Sequence, residues 1–187
     1  MTEQATLAAP VSIEGVGVHT GSHATLRILP AEPNEGWVFV RTDVPGKPQA
    51  RAHADNVTSA DHSVVVENGE GQVRTVEHLL AAAYVLGLDN LRVEMSGPEV
   101  PMLDGSFLPF LEALRAGGRS GLGCESHEVE LKQAVWVQEG DRWILALPNS
   151  EYEITCCVHY DHPLLGTGFG KFKVCEEVFT QELAQAR

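Results

Sequence analysis

The stretch Thr75-Val76-Glu77-His78-Leu79-Leu80 decides how the chain is read. Val76, Leu79, Leu80 and Ala83 recur at the spacing of one apolar face, which predicts a buried helix. Thr75 stands where a hydroxyl can accept from an orphan backbone N–H of the first turn, so it is the expected N-cap. Gly87 offers a left-handed stop, and Asp89-Asn90 turns the chain into a following strand. Most of this helix is ordinary core. Glu77 and His78 are the exception, because an apolar helix has little reason to spend two adjacent early positions on titratable groups.

Two readings of that pair are open. In one, Glu77 is a solvated helix-start charge and His78 a core histidine bonded to a backbone carbonyl. In the other, the pair does chemistry. The positive end of the helix dipole favours a neutral imidazole and an ionised glutamate, and neutral imidazole is a good zinc ligand. Adjacent residues lie about 100° apart on a helix, so they do not face each other but can reach one external point from two sides. One could hold a metal while the other takes a proton from an attacking water.

Upstream of the helix the sequence reads as short strands. Val11 to Leu29 predicts a hairpin whose tip holds Gly15-Val16-Gly17-Val18-His19-Thr20-Gly21. Those glycines fit either a bulged hairpin with His19 exposed at its tip or a close backbone approach to a ligand. Further strands are expected at Trp37–Val40, Ala50–Val57 and His62–Glu67, with a turn at Asn68-Gly69. Downstream come a strand at Leu91–Met95 and a proline-bearing loop from Ser96 to Ser106. In that loop Asp104 reads as turn chemistry. A helix then follows from Phe107, capped by Ser106 and ended by Gly117-Gly118.

Gly117 to Ser126 is rich in glycine and serine and reads as a linker, after which the strand pattern restarts. Hairpin strands are expected around Glu139-Gly140-Asp141, then strands at Tyr152–Tyr160 and Phe169–Val174, and an amphipathic helix from Glu176 to Ala186. The fold class is α+β, as two similar two-layer sheet-plus-helix domains with the second truncated. Residues 1–119 form the first domain, carrying the Glu-His helix; 120–126 are the linker; 127–187 begin the second, incomplete domain. A unit of that size with little helix over its sheet is expected to be marginal.

Composition narrows the function. With 187 residues, 43% hydrophobic and 21% charged, the chain is ordinary globular protein. No apolar run reaches the ~18 residues of a membrane span, and residues 1–10 lack the pattern of a secretory signal. The formal charge of −13 and the lack of a basic stripe argue against nucleic acid as a partner. Cys124, Cys156, Cys157 and Cys175 form no CxxC pair, which fits reduced thiols and a cytoplasmic location.

Four blocks taken together resemble one family. They are Gly15 to Gly21, Thr75 to Ala82, Gly87-Leu88-Asp89-Asn90, and Gly97-Pro98-Glu99-Val100-Pro101-Met102-Leu103-Asp104-Gly105-Ser106, with Asp161-His162-Pro163 as a further piece. This chain resembles the zinc-dependent UDP-3-O-acyl-N-acetylglucosamine deacetylases, which carry out the committed step of lipid A synthesis in Gram-negative bacteria. The resemblance implies Zn2+ as cofactor, His78 as a metal ligand and Glu77 as the general base. It implies an acylated nucleotide sugar as substrate, hydrolysed to the free amine and acetate, with His19 as a substrate-binding candidate. It also implies two further zinc ligands from a His-x-x-x-Asp segment and a general-acid histidine, from a C-terminal half that residues 1–187 do not contain. The chain alone is therefore expected to bind zinc weakly and hydrolyse nothing measurable. The alternative is a truncated, non-catalytic relative acting as a ligand- or partner-binding module.

Overall fold

The computed structural model describes residues 3–186, which divide into two compact units. One runs up to Ser126 and takes in the chain again from Phe179; the other is His127–Val178. The fold is α+β.

In the first unit the strands are β1 (Glu3–Leu7), β2 (Val11–Val16), β3 (His23–Pro30), β4 (Trp37–Arg41), β5 (Gln49–Arg51), β6 (Val57–Ser59), β7 (Val65–Asn68) and β8 (Gly71–Arg74). Helix α1 (Glu77–Val85), β9 (Leu91–Met95), α2 (Leu108–Gly117) and β10 (Arg119–Glu125) follow. The main sheet has the order β2-β3-β9-β4-β5. It is mixed: β4 runs parallel to β9, while the other pairs are antiparallel. Strand alternation builds the core directly. Ala24, Leu26 and Ile28 of β3 and Leu91, Val93 and Met95 of β9 are buried, with Thr25, Arg27, Arg92 and Glu94 between them facing away, while β4 buries the adjacent Phe39 and Val40. Leu79, Ala82 and Ala83 of α1 and Phe110, Leu111 and Leu114 of α2 join the same cluster.

Several expectations are corrected. The predicted strand over 50–57 breaks at a 3-10 turn, Ala54–Asn56, and His62 lies in the left-handed region at φ 58°. The β7–β8 loop is Gly69-Glu70, with Asn68 paired to Gly71, so Asn68 belongs to the strand. Residues 120–126, expected as a linker, form most of β10, which pairs antiparallel with β1. Gly121 serves packing, since a Cβ there would lie 2.6 Å from the Glu3 carboxylate, while Gly123 takes a left-handed φ of 69°. The Leu88-Asp89-Asn90 turn is likewise structural. Asp89 accepts from the Ala5 N–H, while Asn90 accepts from the Gly36 N–H and donates to the Gln4 side chain, tying β1 and β4 together.

The second unit consists of two hairpins. β11 (Val135–Glu139) pairs with β12 (Arg142–Ala146), and β13 (Glu153–His159) with β14 (Thr167–Lys173). The expected terminal helix is only a short turn, Glu176–Val178, continued by a π-helical turn Phe179–Leu183 that belongs to the first unit. No helix of the described residues is long and apolar enough to cross a membrane.

Candidate functional site

The site is organised by how α1 begins and ends. Its C-terminus follows the sequence reading: Gly87 has φ 62°, Gly87 N–H donates to Tyr84 O and Leu88 N–H to Ala83 O, a Schellman closure. Its N-terminus does not. Thr75 is not the cap; the helix starts at Glu77, with Val76 at the cap position making no side-chain bond. Thr75 lies in the left-handed region at φ 60°, and its hydroxyl donates 2.9 Å to Glu99 Oε1. The backbone N–H of Thr75 donates to Val64 O at 2.9 Å. With no capping side chain, the Glu77 carboxylate is the first-turn negative charge that complements the helix dipole.

Glu77 and His78 are half-buried. Glu77 Oε2 accepts the Val64 N–H at 3.1 Å, so the residue leading into β7 and the helix start hold each other in place. The His78 ring lies 4.7 Å from Phe107, inclined by 40°, and Phe107 in turn lies 5.5 Å from Phe179. Among the described residues, two buried side-chain polar atoms lack any hydrogen-bond partner: His78 Nδ1 and Ser63 Oγ. Both adjoin Glu77, His78 as its chain neighbour and Ser63 as the neighbour of Val64. A buried polar atom without a partner is costly and calls for an explanation such as an absent ligand or ion.

His19 is exposed in the turn between β2 and β3. Its backbone, not its ring, makes the defining contact: His19 N–H donates 3.0 Å to Glu99 Oε1. Thr20 donates to Glu99 Oε2 twice, from its N–H at 2.8 Å and its hydroxyl at 2.7 Å. The hairpin tip and the residue that leads into the Glu77-His78 helix therefore share one carboxylate. Burial pushes the Glu99 carboxyl up, yet the bonds from His19, Thr20 and Thr75 outweigh it and hold the group below its ordinary 4.5.

The glycines of the tip find their reason here. A Cβ on Gly17 would stand 2.3 Å from Glu99 Oε2, and one on Gly15 3.0 Å from Pro101. The close approach is to the 96–106 loop of the chain itself. In that loop Asp104 accepts from the N–H and hydroxyl of Ser106, turn chemistry as expected, and the Ser106 hydroxyl accepts from Leu108 N–H at the head of α2.

Sequence reasoning passed over Glu99 and Phe107. The available signal for Glu99 was an acid inside a rigid Pro-Glu-Val-Pro segment, where a solvated charge gains nothing from rigidity. Cys156, Cys157, His159 and His162 lie in the second unit, on or beside an exposed strand. Among the described residues no group of three or more His, Cys, Asp or Glu side chains could hold a metal.

The fold is an α+β scaffold with a carboxylate and an imidazole side by side at the head of a core helix. The chain belongs to the UDP-3-O-acyl N-acetylglycosamine deacetylase family, whose sequence model matches residues 4–187. It is 35% identical over 187 residues to a UDP-3-O-acyl-N-acetylglucosamine deacetylase of Geotalea uraniireducens, covering 100% of this chain and 61% of that protein. A relative of the same name from Citrifermentans bemidjiense is 36% identical, with 100% and 61% covered. One from Nostoc sp. is 35% identical over 190 residues, with 99% and 68% covered. The chain thus spans about three fifths of the length of the first two relatives.

Proposed function

We propose that this chain supplies the general base and one metal ligand of a zinc-dependent deacetylase acting on UDP-3-O-acyl-N-acetylglucosamine in the cytoplasm. The observation that carries the reading is the pair at the head of α1: a Glu77 carboxylate fixed by the Val64 N–H beside an imidazole whose buried Nδ1 has no partner. The relatives' names support the substrate and reaction.

The donor set fits the metal in part. Imidazole nitrogen is a zinc donor, and an unpartnered buried nitrogen suits a residue awaiting an electrophile. His78 is one donor where a catalytic centre uses about three, so on this reading the others come from outside the described residues. Zinc, when bound, would polarise the amide carbonyl as a Lewis acid. Glu77 takes a proton from the attacking water, with one oxygen anchored by Val64 and the other left to act. Phe107 packs against the His78 ring, with centroids 4.7 Å apart. The products are acetate and the free amine. The second unit is the beginning of a second domain on the same reading.

The test addresses the metal ligand. Zinc is titrated into the chain completed with the remaining portion of a relative. His78→Ala should lose zinc affinity by at least about tenfold, in the range typical of disrupted metal sites. Unchanged affinity would remove His78 from the centre and favour a non-catalytic binding module.

A further inference from the structure

We propose that Glu99 is a positioning residue, whose buried carboxylate locks the hairpin tip bearing His19 and the turn leading into Glu77 and His78 into one arrangement. Its catalytic consequence rests on the deacetylase reading; its structural content does not.

Glu99 is 0% exposed, although an acid is among the most expensive side chains to bury. It sits in the 96–106 loop and reaches two other segments. Toward the tip it accepts from His19 N–H, Thr20 N–H and the Thr20 hydroxyl. Toward the helix it accepts from the Thr75 hydroxyl. Its backbone neighbours are clamped as well, since Arg74 N–H donates to Pro98 O and Val100 N–H to Arg74 O. From Thr75 the linkage runs on: Thr75 N–H holds Val64 O, and Val64 N–H holds Glu77 Oε2. One carboxylate thus stands three hydrogen bonds, through Thr75 and Val64, from the base it positions.

Only an ionised acid serves all four donors. A carboxylate is acceptor-only on both oxygens. An amide would turn N–H groups toward the His19 or Thr20 N–H, which cannot rotate to accept. Gly17 completes the device, since any larger residue would occupy the space of the carboxylate. A loop acid needed only for shape could be replaced by a turn residue; four converging donors from two site segments are not a requirement of the turn.

The experiment is amide hydrogen exchange on the 187-residue chain, wild type against Glu99→Gln. Loss of the tip bonds should speed exchange at His19 and Thr20. The proposal further requires exchange at Val64 to rise about tenfold, the effect of weakening its link to Glu77 by one hydrogen bond's worth. The Leu91 N–H, bonded to Gly36 O in the core, reports the global loss of stability, and the rise at Val64 must exceed the rise at Leu91. Fast exchange at His19 and Thr20 with Val64 unchanged would overturn it, leaving Glu99 as a local hairpin anchor. If Glu99→Gln does not fold, Thr75→Ala and Thr75→Ser carry the test: Ala should release Val64 and Ser should retain it, and equal behaviour would overturn the proposal. In the completed enzyme Glu99→Gln should lower kcat by about 10²-fold with KM little changed, as a misplaced catalytic group does. A wild type that turns over no substrate would defeat the deacetylase reading while leaving the exchange result to stand.

Discussion

At the scale of the residue, Glu99 is the side chain on which charge, burial and geometry bear together. Its four hydrogen bonds come from uncharged donors, so the stabilisation depends on direction rather than on an ion pair. Because the folded carboxyl is held below its ordinary 4.5, the unfolded chain takes up the proton first as pH falls. The group's contribution is fully present above about pH 4.5 and is lost as pH drops through the folded value. Urea unfolding followed down the acid limb should show stability falling there, and Glu99→Gln should flatten that fall. Identical acid limbs in the two proteins would show that the carboxylate does not titrate with folding. At neutral pH the same variant should lose about 1–3 kcal/mol for each buried donor left without a partner.

At the scale of the element, α1 and the β2–β3 tip show which features a sequence announces. Gly87 was legible because the left-handed closure of a helix is a local matter, and Gly87→Ala should cost about 1–2 kcal/mol in thermal or denaturant unfolding. Strands β3 and β9 were legible from alternation, since one of their faces is core. Thr75 was misread because the hydroxyl that could cap the helix has a stronger use 24 residues away, at Glu99. The Gly-Ser stretch before Ser126 was misread for a related reason: it pairs with β1, a partner distant in sequence, and Gly121 packs against Glu3 there. Gly15 and Gly17 were open between ligand approach and bulge, and the choice depended on a loop some 80 residues on. Gly17→Ala should therefore destabilise by about 1–3 kcal/mol through broken Glu99 bonds. Its exchange signature at His19 and Thr20 should match that of Glu99→Gln, and normal protection at those amides would argue against this origin for the glycine.

At the scale of the whole molecule, the two units differ in how well they bury their chains. The first has a continuous core. The second leaves Trp136 69%, Trp143 66%, Ile144 72% and Phe169 71% exposed, and a two-stranded hairpin is marginal on its own. Limited trypsin digestion of the 187-residue chain should cut first within 127–178, leaving a resistant fragment that contains residues 3–126. Simultaneous loss of both units would contradict that difference. The family relationship extends over both units, from residue 4 to 187. The proposed chemistry nevertheless converges on one carboxylate. The most direct measurement is the initial rate of acetate release by the completed, zinc-loaded enzyme carrying Glu77→Gln, with metal content determined on the same sample. The account predicts retained zinc and a rate lower by about 10²–10⁴-fold, because an amide cannot take the proton from water. Retained zinc with near-normal turnover would contradict it and leave Glu77 as no more than the charge at the start of a helix.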